Sequence, residues 1–161
     1  MAIEETVISH RFDPDFGALS FVETRTMAAV DGGPMKPLVY RSWRGKIFGL
    51  DAEIQISCEE DPPVIAEDIR TSFRGVVANV GNFTKRVARR ELDLAKQWAQ
   101  EGELDLVLDE LSFADLLKIK AFSIDPGRLT VWLQEAANIF AGHDLEVRIE
   151  DGVIAEICLA G

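Results

Sequence analysis

The spacing of apolar residues changes period twice along the chain. In the first third it suits strands. Phe16-Gly17-Ala18-Leu19-Ser20-Phe21-Val22 follows a turn-like Asp13-Pro14-Asp15 and predicts a short strand. Two glycines and two prolines between Gly32 and Pro37 predict that Asp31–Pro37 is a loop. Val39–Phe48 and Ala52–Cys58 then predict two strands, with Gly49-Leu50-Asp51 as a hairpin loop. Ile54, Ile56 and Cys58 share one parity, so all three are expected to point inward.

In the middle third the period becomes helical. Asp61-Pro62-Pro63 is a helix-start signal, and Glu67 and Asp68 place negative charge at the positive end of the helix dipole. At 100° per residue, Ile65, Ile69, Phe73, Val76, Val80, Phe83, Val87, Leu94 and Trp98 fall within an arc of about 80°. One unbroken helix over that span would be about 50 Å long, more than a domain of this size accommodates. A break is therefore expected at Asn79-Val80-Gly81-Asn82, with glycine closing one helix and asparagine opening the next; a kinked continuous helix is the alternative. Glu101 to Asp115 carries six acids and no base and reads as a solvated connector. Ser112 is then expected to cap a short helix running to about Lys118.

The last third reads as an antiparallel meander. Ala121–Ile124 and Leu129–Leu133 are strands joined across Asp125-Pro126-Gly127, and a looser segment spans Gln134 to Gly142. Leu145-Glu146-Val147-Arg148-Ile149 alternates apolar and charged residues, as a half-buried strand does. Asp151-Gly152 is a strong two-residue hairpin turn, after which Val153–Leu159 returns. The expected fold class is α+β: N-terminal hairpin strands and a C-terminal meander in an antiparallel sheet, with two central helices packed on one face.

Length and charge narrow the function classes. The 161 residues suit a single domain, 1–161, able to bury a core without metal or disulfide. No apolar run approaches the 18 or so residues of a membrane span, and the acidic start Met1-Ala2-Ile3-Glu4-Glu5 lacks a signal-peptide pattern. The expected location is cytoplasmic, and Cys58 and Cys158 are expected to be reduced thiols. With 17 Lys and Arg against 28 Asp and Glu, the net charge of −11 opposes nucleic-acid backbones and favours a basic protein partner.

The chemistry-bearing motifs are sparse. The sequence has no G-x-S-x-G, H-E-x-x-H, G-x-G-x-x-G or phosphate-loop pattern, and two histidines cannot build a histidine metal cluster. No metal or cofactor is expected. His143, at a loop-to-strand junction, is a candidate general base or ligand; the competing role is a backbone hydrogen bond that fixes the loop. Asp144 is a poor partner for it, since adjacent strand residues face opposite ways. Trp43 and Arg44 are candidate binding residues by type, although a core tryptophan with Gly45 making room for it is the competing account. Trp98 and Trp132 are expected in the core. Lys85, Arg86, Arg89 and Arg90 form a basic helix face that the seven acids of Asp51–Asp68 are available to neutralise. Glu59, Glu60 and Asp61, uninterrupted by any base, are candidate contacts for a basic partner.

Three patterns resemble the bacterial domain of unknown function 2262 family: Phe16-Gly17-x-Leu19 with Tyr40-x-x-Trp43-x-Gly45; the helical middle ending in Lys96-Gln97-Trp98; and Phe140-x-Gly142-His143-x-Leu145-x-Val147, followed by Gly152 and Ile157-x-x-Ala160-Gly161. The resemblance implies a small bacterial α+β domain, found alone or fused, with no agreed activity, cofactor or catalytic residue. The expected function is a non-catalytic acidic protein-binding module, for example of the immunity type. The alternative is a small hydrolase or ligand-binding enzyme using His143 with a carboxylate.

Overall fold

The computed structural model describes residues 3–29 and 32–161. Eight strands form one sheet in chain order: β1 (Glu4–Asp13), β2 (Gly17–Ala29), β3 (Met35–Ile47), β4 (Ala52–Ile56), β5 (Leu117–Asp125), β6 (Arg128–Glu135), β7 (Asp144–Glu150) and β8 (Val153–Ala160). Every neighbouring pair is antiparallel except β4 with β5. A parallel pair cannot be closed by a tight turn. The long crossover between β4 and β5 holds α1 (Glu67–Ala78), α2 (Val80–Glu101) and α3 (Glu110–Leu116). The fold is α+β.

Alternation along the strands puts one apolar face under the helices. Phe21 lies opposite Trp43, Ile54 opposite Phe122, and Val131 opposite Val147. The helices add Ile69, Phe73 and Val76 from α1 and Phe83, Val87, Ala95 and Ala99 from α2. The Phe73 ring meets Phe16 and Phe122 edge-on, at 4.8 and 4.9 Å between centroids. No helix among the described residues is long and apolar enough to cross a membrane.

Several boundaries differ from those read in the sequence. Asp31 lies outside the described residues, but Met35–Pro37, read as loop, belongs to β3. Pro37 is tolerated because β4 pairs only with Trp43–Ile47, leaving the start of β3 an open edge that does not need its N–H. The helical stripe does break, at Asn79. Its side chain accepts from the N–H of Asn82 and caps α2, while Gly81 sits inside the first turn rather than closing α1. The short helix is capped by Asp109, with Ser112 as its reciprocal partner three residues on. It ends at Leu116 because β5 begins at Leu117, four residues earlier than expected. The crossover therefore holds the two central helices and the short third one, as expected.

Two packing assignments also change. Gly45 makes room for a neighbouring backbone and not for Trp43: a Cβ there would stand 2.5 Å from the carbonyl oxygen of Ala18. Trp132 pairs across from Ala121 and Glu146, so it lies on the face turned away from the helices, half-buried. Its indole N–H donates to the Ser123 hydroxyl at 2.9 Å.

The β7–β8 hairpin closes across Glu150 and Val153, and both turn residues have positive φ, 49° at Asp151 and 75° at Gly152. Leu145, Val147 and Ile149 are buried beneath it. Gly152→Val should cost about 1–3 kcal/mol by forcing a β-branched residue into that region. Thermal unfolding reads the loss, and an unchanged midpoint would mean that the turn conformation carries no strain.

Candidate functional site

The acidic run Glu59-Glu60-Asp61 lies in the segment that leaves β4 and crosses the helix-bearing face toward α1. Two anchors hold it. The Trp43 indole N–H donates to the carbonyl oxygen of Glu60 at 2.9 Å. The Asp61 carboxylate accepts from Ser9 at 2.9 Å and from Arg11 at 2.8 Å. Trp43 itself is 0% exposed and stacks on Phe21 at 4.8 Å. It presents no surface to a partner, so its place is in the core, as an anchor beneath the acidic run. With Asp61 engaged, Glu59 and Glu60 are the exposed acids of the run that form no ion pair among the described residues.

Beside them is a cleft of about 380 Å³. Ile56, Ile65, Ile69 and Ile124 give it an apolar lining, Glu59 and Glu60 stand on one rim, and the β5–β6 turn at Asp125-Pro126-Gly127 forms the other. Cys58 lines it as a free, half-buried thiol, just past the end of β4. An apolar floor with carboxylates at its edge suits a basic side chain whose aliphatic stem can be buried while its charge stays at the rim.

Arg44, Trp43's neighbour, points to the opposite face. Its guanidinium donates to Glu5 at 2.7 Å, to Thr24 at 3.1 Å and to Ser42 at 3.3 Å, which ties β3 to β1 and β2.

His143 is four strands from Trp43, roughly 19 Å at the usual strand spacing. The loop before it is built around Glu135, a buried carboxylate that accepts from the N–H of Ala137 at 2.8 Å and of Phe140 at 3.2 Å. His143 donates its backbone N–H to the Phe140 carbonyl at 3.0 Å. Its ring stands edge-on to Trp98 at 6.1 Å and abuts Gly161, where any side chain would collide with the imidazole. Asp144 turns instead to Lys120, at 2.7 Å. His143 thus fixes the loop and receives the C-terminal strand, and its sequence neighbour offers it no carboxylate.

The acidic connector divides on inspection. Asp109 is spent on the α3 cap, and Glu110 pairs with Arg89 at 2.9 Å. Of the α2 basic face, Arg89 alone finds an ion pair among the described residues, and it comes from the connector rather than from Asp51–Asp68; Arg90 donates to the Ile154 carbonyl at 2.7 Å. Glu103 and Asp105 are exposed beside Val107, which is 95% exposed.

Sequence reasoning missed a second cleft, about 420 Å³, between the α1–α2 elbow and the β7–β8 hairpin. Asp68, Asn79, Asn82, Arg86 and Asp151 line it, with Val76, Phe83 and Ile149 at its floor. The helical period placed Asp68 and Arg86 on their helices, but no local signal brings Asp151 to meet them. Among the described residues no group of three His, Cys, Asp or Glu side chains is placed to hold a metal ion. Compared with models of protein families, with curated proteins and with solved structures, the chain matches none.

Proposed function

We propose that this chain is a non-catalytic, acidic protein-binding module of the bacterial cytoplasm, of the kind in which an immunity protein neutralises a basic partner. The proposal keeps the resemblance to the domain of unknown function 2262 family. The observation that carries it is the cleft beside the acidic run: Glu59 and Glu60, free of ion pairs among the described residues, flank an isoleucine-lined floor. The net charge of −11 speeds encounter with a basic surface, and the cleft supplies an anchoring point once contact is made. Glu103 and Asp105, with Val107 between them and α3, form a second acidic patch that a large partner can reach.

The test starts with partners retained from a native extract at low salt. Binding should fall steeply with ionic strength, since surface charges interact over about 8 Å at physiological salt and about 3 Å at 1 M. Glu59→Gln with Glu60→Gln should weaken it by about tenfold or more, while a folded His143→Ala protein binds as wild type. No retained partner, together with a small-molecule turnover that disappears in His143→Ala, would replace the binder by the enzyme.

A further inference from the structure

The two ends of the sheet differ in charge. Residues 1–48 hold six acids and six bases, whereas residues 49–161 hold 22 acids and 11 bases. The whole net charge therefore lies outside β1–β3. Two copies of this chain repel one another over most of their surface, and the neutral β1–β3 end is where they can meet without that cost.

That end also carries an open strand. β2 pairs with β1 on one side, and among the described residues no strand pairs with the other. Ile3, Val7, Ile8 and Phe12 are all at least half exposed along it, Phe12 by 77%. Free edges in soluble proteins are commonly protected by proline, lysine or a bulge. The open part of β3 has Lys36 and Pro37. The last strand, β8, belongs to the acidic half, follows Glu150 and Asp151, and has one carbonyl occupied by Arg90. β1 has neither lysine nor proline; its one irregularity is the extra residue between Val7 and Ser9.

We propose that β1 is the contact strand of a homodimer, in which a second copy adds its own β1 antiparallel across a two-fold axis. Such a contact must be self-complementary. Glu4–Arg11 is, once Ile8 is counted as the extra residue of the bulge: with Val7 facing Val7 of the second copy across the axis, Thr6 faces Ser9, Glu5 faces His10 and Glu4 faces Arg11. Apolar residues sit at the axis, and acids at one end of the segment meet bases at the other. Main-chain hydrogen bonds supply the affinity and these pairs set the register.

Light scattering on the full chain across a concentration series tests this. The mass should rise to that of a dimer by roughly 100 µM. It should stay there from about 0.1 to 1 M salt, because this end is neutral. Ile8→Lys places two ammonium groups beside the axis and should raise the dissociation constant by about tenfold or more. Glu4→Arg sets a second cation opposite Arg11 of the second copy and should also weaken the dimer. Amide exchange over Glu4–Arg11 should slow as concentration rises. A monomer at every concentration, or a dimer indifferent to both Ile8→Lys and Glu4→Arg, overturns the proposal. Neither result bears on partner binding by Glu59 and Glu60, which is read in monomer and dimer alike.

Discussion

Arg70→Met should destabilise the protein by about 2–4 kcal/mol at neutral pH, and the loss should shrink as the solution is acidified. Arg70 lies in α1, and its guanidinium donates to Asp13 at two points, both 2.9 Å, and to Asp15 at 2.8 Å. These three side chains are 16%, 11% and 11% exposed, so removing the cation strands the largely buried Asp13 carboxylate and leaves Asp15 to Arg74 alone. The Asp13 carboxylate also accepts from the N–H of Asp15 and of Phe16, which shapes the β1–β2 turn. Burial works against the charge on Asp13, but Arg70 and these N–H groups outweigh it and hold the carboxyl below its ordinary value. Asp15 is lowered chiefly by Arg74 and also by Arg70, again against burial.

The sign follows from both carboxyls being lowered in the folded state. Their contribution is fully present above the unfolded value of 3.8 and is lost as pH falls from there through the folded values. Arg70→Met protein starts without the share that Arg70 supplies, so its stability should fall less across that window than wild type's. Denaturant unfolding at pH 7 and at a series of pH values below about 4 measures both effects. Acid limbs that run parallel would mean that Arg70 contributes packing and no charge stabilisation.

What the sequence disclosed depends on how local the cause was. The helical stripe from Ile69 to Trp98 is a property of consecutive residues, and so is the Asp151-Gly152 turn; both could be read directly, although α1 starts at Glu67 behind Ala66 and not at Asp61-Pro62-Pro63. β1 could not. Its residues Glu4–Asp13 alternate poorly because both faces of an outer strand meet solvent, and only pairing with β2 holds it extended. The same cause hid the first residues of β3, 35–38, where exposed Met35 and Leu38 show no inward parity. The site was half legible. Base-free Glu59-Glu60-Asp61 was visible as a run, but the cleft beside it is made by Ile124 and the β5–β6 turn, more than sixty residues away. Trp43 was singled out by residue type, which cannot distinguish a tryptophan that meets a partner from one that seats a loop. At His143 the residue type alone suggests a base; the packing of its ring beside Trp98 and Gly161 is set by the return of β8, which no local pattern carries.

Trp43 joins the core to the candidate site, so two substitutions there should separate stability from binding. Trp43→Ala removes a fully buried indole stacked on Phe21 and should cost about 3–5 kcal/mol. Trp43→Phe keeps an aromatic ring against Phe21 but deletes the N–H that holds the Glu60 carbonyl. That lost hydrogen bond is worth about 1 kcal/mol, with a further cost for the smaller ring. The more telling effect is local. With the Asp61 contacts to Ser9 and Arg11 at one end and the Ser57 N–H bond to the Ile124 carbonyl at the other, residues 59–61 should exchange amide protons faster than in wild type while the strand amides of β2 and β3 do not. Glu59 and Glu60 would then be ordered only on contact with a partner, and binding should weaken although neither carboxylate has changed. If exchange in residues 59–61 is the same in Trp43→Phe and wild type, the Asp61 and Ser57 contacts position the run, and the indole serves the core and nothing else.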